Sequence, residues 1–389
     1  MPRNIIHAID IGSENIKAVC IEKRPDDSAL RILGASLIAS AGMRRGSVIK
    51  SDQLVPKIKE AASDLERISG IPLRHVFLTF GSPALGFQKA RGRIAISRAD
   101  GEIAPHDLDR ALKQARPTSQ VLANREVLET FGLNYMVDSE ISTKDAIGIK
   151  GENLEVEALF VTALRKPLGA LIECVESAGL AVDDVIPAPL ASNRSLLTLK
   201  QREVGAVTAD IGAETLSVAV IEENTPYSLA VFPIGSEHIT MDIALGFQVS
   251  LPEAEKIKCS GALPDDSQQA KKKFASIVEA RLEDMFELVE VHLKKVGRAG
   301  LLPGGIVIGG GGSRIPGIAE LAKSILRLPA DTGKCLDLED NHKLKDPIWA
   351  AAIGVARLAF DEERFDRVNL KKPSVISQKV TSWLRSLIP

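Results

Sequence analysis

Asp10 and Asp210 each close a short apolar run and open nearly the same phrase, Asp10-Ile11-Gly12-Ser13-Glu14-Asn15 and Asp210-Ile211-Gly212-Ala213-Glu214-Thr215. A carboxylate at a strand end can hold the water shell of Mg2+, an ion that dehydrates reluctantly. A glycine two residues on lets a phosphate come close to bare backbone N–H groups. One such turn reads equally as an ordinary hairpin; two in one chain can clamp a triphosphate from both sides. A third stretch, GGGGSRIPGI from Gly309 to Ile318, lies between the strand-like GIVI and a helix-like run. Consecutive glycines open the backbone to a flat ring, and a helix start adds N–H groups that favour an anion. Alone it reads equally as a loop shaped for packing. Following both Asp-x-Gly turns, it points to a nucleotide.

The elements that would position these residues repeat. IIHAI and IKAVCIE read as strands around the first turn, followed by a strand in LRILGASLIA. AGMRRGSV then leads to a helix with Ser51 as its expected N-cap and Pro56 tolerated in the first turn. Leu54, Ile58, Ala61, Leu65 and Ile68 fall on one face of that helix, and HVFLTFG reads as a further buried strand. Residues 82–157 change character: short strands (GRIAIS, EVLETFGLNYMV), one helix around DLDRALKQA and dense charge suggest an inserted subdomain. Strand EALFVTAL and helix PLGALIECVESAGL resume the main pattern. The second half restarts with VGAVTADIGAETLSVAVIEE, then a helix in SEHITMDIALGF and another opening at SLPEAEKIK, where Ser250 and Glu253 spell a capping box. A long amphipathic helix is expected over 270–296, with Phe274, Ile277, Leu282, Phe286, Val289 and Leu293 inward. The expectation is therefore a duplicated α/β unit with one insertion in each half.

Composition bounds the function. A chain of 389 residues can form two or three domains. A net charge of −2 gives no broad basic surface for nucleic acid, and 4% aromatics gives no base-stacking platform. Cys20, Cys174, Cys259 and Cys335 form no CxxC pair and read as reduced packing residues. The histidines show no metal-binding spacing. MPRNIIHAID carries no apolar signal core, and no run approaches the ~20 apolar residues of a membrane span. A cytoplasmic protein is expected.

The last sixteen residues, SVISQKVTSWLRSLIP, qualify that expectation. Ile376, Val380, Trp383, Leu384, Leu387 and Ile388 line one helical stripe, flanked by Lys379 and Arg385 and preceded by Lys371 and Lys372. Trp with basic neighbours suits the headgroup boundary of an anionic leaflet, and DEERFDRVNLKKPS before it reads as a polar linker. The plain alternative is a helix docked on the protein's own surface. Apolar side chains worth ~1.5–3 kcal/mol each when fully buried must offset helix ordering. Single copies should bind a membrane reversibly and assemblies firmly.

The order of phosphate turn, insertion, phosphate turn and glycine loop resembles the actin, sugar-kinase and heat-shock-chaperone superfamily. Within it the chain most resembles FtsA, the actin-like bacterial division family that tethers FtsZ to the membrane. AGMRRGSVIKSD, the 82–157 insertion, GSEHITMDIALGF, PLASNRSLL, PIWAAAIGVARL and the tail carry the resemblance, which spans nearly the whole chain. It implies an α/β, actin-like two-lobed fold of duplicated ribonuclease-H-like domains with an FtsA-type inserted subdomain in the first lobe. The first-lobe core would be 1–81, 158–190 and 346–360, with 82–157 inserted. The second-lobe core would be 191–245 and 301–345 with a small subdomain at 246–300, then a linker at 361–373 and a membrane-targeting helix at 374–389.

The same resemblance implies ATP and Mg2+ as cofactors. Asp10 and Asp210 would face the Mg2+ waters. Gly12, Ser13, Glu14, Asn15 and Lys17 would line the phosphates with Gly212, Ala213, Glu214 and Thr215. Glu255 and Lys258 would grip the ribose, Gly310 and Gly311 would flank the adenine, and Arg314 would stack on it. Related second turns commonly read D-x-G-G-G-T, whereas here Ala213 and Glu214 replace two glycines, and a carboxylate facing phosphate is repulsive. Ala188 stands where hydrolytic relatives place the group that orients water, so slow hydrolysis is expected. Implied partners are the FtsZ C-terminal peptide at 246–300, further copies of the chain in a head-to-tail filament, anionic lipids and other division proteins, with no nucleic acid. Lys271, Lys272, Lys273, Arg281, Lys294, Lys295 and Arg298 make that small subdomain basic, or a solvated face. The implied place is the cytoplasmic side of the inner membrane at the septum. The alternative is a pilus-assembly ATP-binding protein of the PilM type, which shares the fold; a sugar kinase or chaperone ATPase is disfavoured by Ala188.

Overall fold

A computed structural model describes residues 4–24, 29–118, 120, 122–263, 265, 267–339 and 343–365. Two of its sheets have five strands and the same topology. In the first the order is Ala181–Pro187, His75–Phe80, Ile5–Ile11, Asn15–Lys23 and Leu30–Ala39. In the second it is Ala330–Thr332, Ile306–Gly309, Ala206–Ile211, Leu216–Glu222 and Thr225–Phe232. In each, an antiparallel three-strand meander continues into two parallel strands. The central strands are covered on both sides, so they carry near-continuous apolar runs such as Ala8, Ile9 and Ile11, or Val207, Ala209 and Ile211, all buried.

Two helices cross between the sheets, Ala188–Leu196 and Ala350–Phe365. They meet backbone to backbone: a Cβ on Gly354 would overlap the Ala191 carbonyl, so only glycine fits. Ser195 donates to the Ala350 carbonyl at 2.7 Å, and Arg194 binds Asp361 through Nε and Nη2 at 2.9 and 2.7 Å.

A separate four-stranded sheet, ordered Leu85–Ala95, Asn153–Leu164, Arg125–Val137 and Ile141–Thr143, carries the helix Pro105–Ala115 on one face. Its three main strands are 11, 12 and 13 residues long rather than short. Residue 157 lies inside one of them: Leu85 pairs with Ala163 and Ala95 with Asn153 in a continuous ladder on that side, while the ladder to Arg125–Val137 shifts register between Glu157 and Ala158. This sheet also meets the second lobe. Lys89 Nζ and the Arg298 guanidinium lie 3.4 and 4.1 Å from the Tyr227 ring centre, and Lys144 pairs with Glu223 at 2.9 Å.

Several local expectations are corrected. Ser51 is the first helical residue; Lys50 holds the N-cap position without a side-chain cap. Ile68, near that helix's C-terminus, is 44% exposed rather than on the buried face. Ser250 does occupy an N-cap, but no capping bond forms; Pro252 already removes one unpaired N–H from that first turn. The long helix runs Gln268–Lys295, capped by Ser267, which accepts from Ala270 N–H at 3.2 Å. Its Phe274 and Ile277 are only half-buried. Several basic residues of this subdomain are paired, Arg281 with Asp242 and Lys294 with Glu290 on the helix, and Arg298 beyond it with Glu222.

Candidate nucleotide cleft

The two Asp-Ile-Gly turns are built alike. Gly12 N–H donates to Asn15 O at 3.0 Å, and Gly212 N–H donates to Thr215 O at 2.8 Å. The register of the strands they join is also the same: Asp10 pairs with Lys17, and Asp210 with Ser217. A Cβ on Gly12 would sit 2.9 Å from Asn15 O, too close for a side chain. Both turns open on one cavity of about 940 Å3 between the lobes. The cavity wall includes every residue assigned above to Mg2+, phosphate, ribose and adenine.

Charge is arranged in pairs. Lys17 Nζ lies 2.9 Å from Asp10 Oδ2, with side chains only 16% and 13% exposed. Thr79 donates to Asp10 Oδ1 at 2.6 Å, and Ser192 donates to Asp210 Oδ2. Burial works against charge on Lys17, yet Asp10, and Asp210 behind it, raise the ammonium above the ordinary lysine range. Burial pushes the Asp210 carboxyl up, against the opposing pull of Ser192 and Lys17. Among the described residues no three metal-ligating side chains gather into a direct shell. Asp10 has both oxygens engaged and Asp210 one, so these carboxylates fit an ion held through its own waters rather than by direct bonds.

At the ribose position, Lys258 Nζ meets Glu255 Oε2 at 2.7 Å. Thr240 donates to the same oxygen at 2.6 Å, while Lys258 donates to Thr240 Oγ1 at 2.8 Å. Burial opposes ionisation of Glu255, but Lys258 and Thr240 hold its carboxyl below the usual range. Thr240, Thr79 and Ser192 were not singled out in the sequence; Thr240 lies one helical turn after Ser236, whose carbonyl also receives Lys258 at 3.3 Å. That i, i+4 spacing is the available signal.

The glycine loop rests on the second turn. Gly310 has φ +75°, and a Cβ there would overlap Asp210 Oδ1 and the Ile211 carbonyl. Gly311 faces open space. Arg314 lines the cavity and forms an ion pair with Asp346. Phe274, Val278, Leu282, Ile315 and Leu321 add an apolar wall. Ala188 lies buried at the start of its helix and contributes only a methyl group to the lining. Glu214 does not point away from the cleft: it accepts from Arg45 N–H of the opposite lobe at 2.6 Å.

Comparison with known proteins decides the family. The family described as "Cell division protein FtsA" matches residues 207–354, and the "SHS2 domain inserted in FTSA" matches 84–162. The Borreliella burgdorferi cell division protein FtsA is 27% identical over 98% of this chain and 98% of its own length. The chain belongs to the FtsA family.

Among solved structures, a PilM-PilN type IV pilus biogenesis complex is similar with TM-score 0.65 and 17% identity, covering 91% of this chain and 98% of that one. Spiroplasma citri MreB5 bound to ADP follows with TM-score 0.55 and 11% identity, over 95% of this chain and all of that one (100%). These show the fold, which is actin-like and two-lobed, with the FtsA-type insertion on the first lobe. The chain is thus an actin-like member of a cell-division family. Among the described residues no helix is long and apolar enough to cross a membrane. The tail residues Ile376 to Ile388 lie outside the described residues.

Proposed function

We propose that the chain binds ATP with Mg2+ in the inter-lobe cleft and, so loaded, assembles and tethers FtsZ filaments to the inner face of the cytoplasmic membrane. The observation that carries this is the convergence of both Asp-Ile-Gly turns, the Glu255–Lys258–Thr240 group and the glycine loop on one cavity. Gly12 and Gly212 let the phosphate chain approach the backbone. Lys258 and Glu255 orient the ribose, and the loop at Gly310 and Gly311 receives the base. Mg2+ would supply charge neutralisation for the phosphates, and Asp10 and Asp210 would hold it through its waters. The methyl group of Ala188 cannot orient an attacking water, so ATP serves as a structural ligand; turnover of ~1 per second would contradict this.

Family membership supports the rest of the reading. The 246–300 region is proposed to receive the FtsZ C-terminal peptide, and the tail to lie on anionic lipid at the septum, where other division proteins join. The test is flotation with anionic liposomes in ATP, comparing the full chain with one ending at Lys372. Flotation of the full chain alone supports a tail anchor. Flotation of both, or of neither, removes the anchor from the reading. Titration with an FtsZ C-terminal peptide, and with ATP in the presence and absence of Mg2+, checks the other two parts separately.

A further inference from the structure

The short strands Met43–Arg44 and Ser47–Val48 form a hairpin of the first lobe whose two-residue loop is Arg45-Gly46. Both loop residues have positive φ, 48° and 70°, as a primed hairpin turn requires. Each tip amide is engaged by a different phosphate turn. Arg45 N–H donates to Glu214 Oε2 of the second turn at 2.6 Å, and Gly46 N–H reaches Ser13 Oγ of the first at 3.5 Å. The tip packs tightly on its own lobe: Gly46 lies so close to the Gly81 carbonyl that a Cβ would overlap it. Gly46, Gly81, Ser13 and Glu214 all line the cavity.

We propose that Glu214 is an internal competitor for the terminal phosphate, making the cleft discriminate nucleoside triphosphate from diphosphate by whether Glu214 is displaced from Arg45 N–H. This inference rests on the nucleotide reading above. A carboxylate oxygen and a phosphate oxygen are equivalent acceptors for one backbone donor, and two anions cannot share it without strong repulsion. Glu214 and Ser13, the partners of the two tip amides, both line the cavity from opposite phosphate turns, so a ligand long enough to carry a third phosphate would compete there and a diphosphate would not. Like charge is already crowded there: Glu214 and Glu14 add to burial in raising the Glu237 carboxyl. Displacing Glu214 also breaks a hydrogen bond between residues of opposite lobes, so triphosphate binding changes what holds the cleft shut.

The experiment is calorimetric titration of the full chain with Mg-AMPPNP and with Mg-ADP, for the natural protein, Glu214→Gln and Glu214→Ala. Gln keeps an acceptor for Arg45 while removing the charge; Ala empties the position. The expected result is triphosphate affinity raised about tenfold or more in both variants, with ADP affinity changed less than about threefold. Equal shifts for both nucleotides would make Glu214 a lobe clasp only and overturn the proposal. So would a loss of triphosphate affinity in the soluble, folded Gln variant. If the natural protein binds neither nucleotide, the nucleotide reading itself falls, and this inference with it.

Discussion

At Asp10 the residue across the strand pair is Lys17, and the two form a largely buried ion pair. At Asp210 the same register position is Ser217, and the carboxylate turns instead to the hydroxyl of Ser192 from a crossing helix. The backbones of the two turns match, down to the glycine N–H that closes each. Duplication has preserved the shape of the phosphate turn while its charges have diverged. The first turn carries its own cation. The second carries a half-buried acid, the glycine loop and a strut to the other lobe. A cleft with two such walls is asymmetric in electrostatics despite near-symmetry in fold.

Four tests, in order of expected effect, break or sharpen this contrast. Lys17→Met strands the Asp10 carboxylate in a site with little solvent and should cost about 3–5 kcal/mol in chemical denaturation. Ser217→Ala, its counterpart, should cost under about 1 kcal/mol. Next, Gly310→Ala places a Cβ against Asp210 and Ile211 at a left-handed φ, for a loss of ~2–3 kcal/mol. Gly311→Ala, facing open space, should leave the thermal midpoint within about 2 °C.

The third test uses one chemical change at both aspartates. Asp10→Asn removes the partner of Lys17 and should destabilise by ~1–3 kcal/mol at pH 7. Asp210→Asn should do the opposite. Because the folded Asp210 pKa lies above its unfolded value near ~3.9, its contribution is fully present below that unfolded value and lost as pH rises through the folded one. The Asn variant should therefore melt higher than the natural protein at pH 7, and the gain should fade as pH drops towards ~4. Melting curves across pH that move both variants in the same direction would refute the asymmetry. Smallest is Ser13→Ala: its 3.5 Å contact with Gly46 N–H is long, and the loss should stay below ~0.5 kcal/mol.

The turns were legible in sequence because glycine after a strand-ending aspartate is a local signal, and the short apolar run before it marks the strand that precedes it. The duplicated sheets follow from the same phrases. What completes the cleft is non-local. Thr79 reaches Asp10 from 69 positions away, and Ser192 reaches Asp210 from 18. Glu214 finds a backbone N–H 169 positions distant, and a backbone donor has no side-chain signature at all. Arg314 also has a partner that the sequence does not announce, Asp346, 32 positions on. Local cap signals failed in the other direction: Ser51 and Ser250 are good N-cap residue types, yet neither hydroxyl caps its helix. Propensity names what a residue can do at a position, and the neighbouring chain decides whether it does.

The contact of Gly354 with Ala191 has a mechanical consequence. Helices separated by layers of side chain can slide along each other; two backbones in contact cannot. Such a crossing would act as an axle, letting the lobes swing about the point of contact while resisting shear past it. Small angular changes at that axle become larger displacements at the distant rim of the cleft, in proportion to the lever arm. A molecule built this way would convert the size of what sits between its lobes into the angle its outer surfaces present.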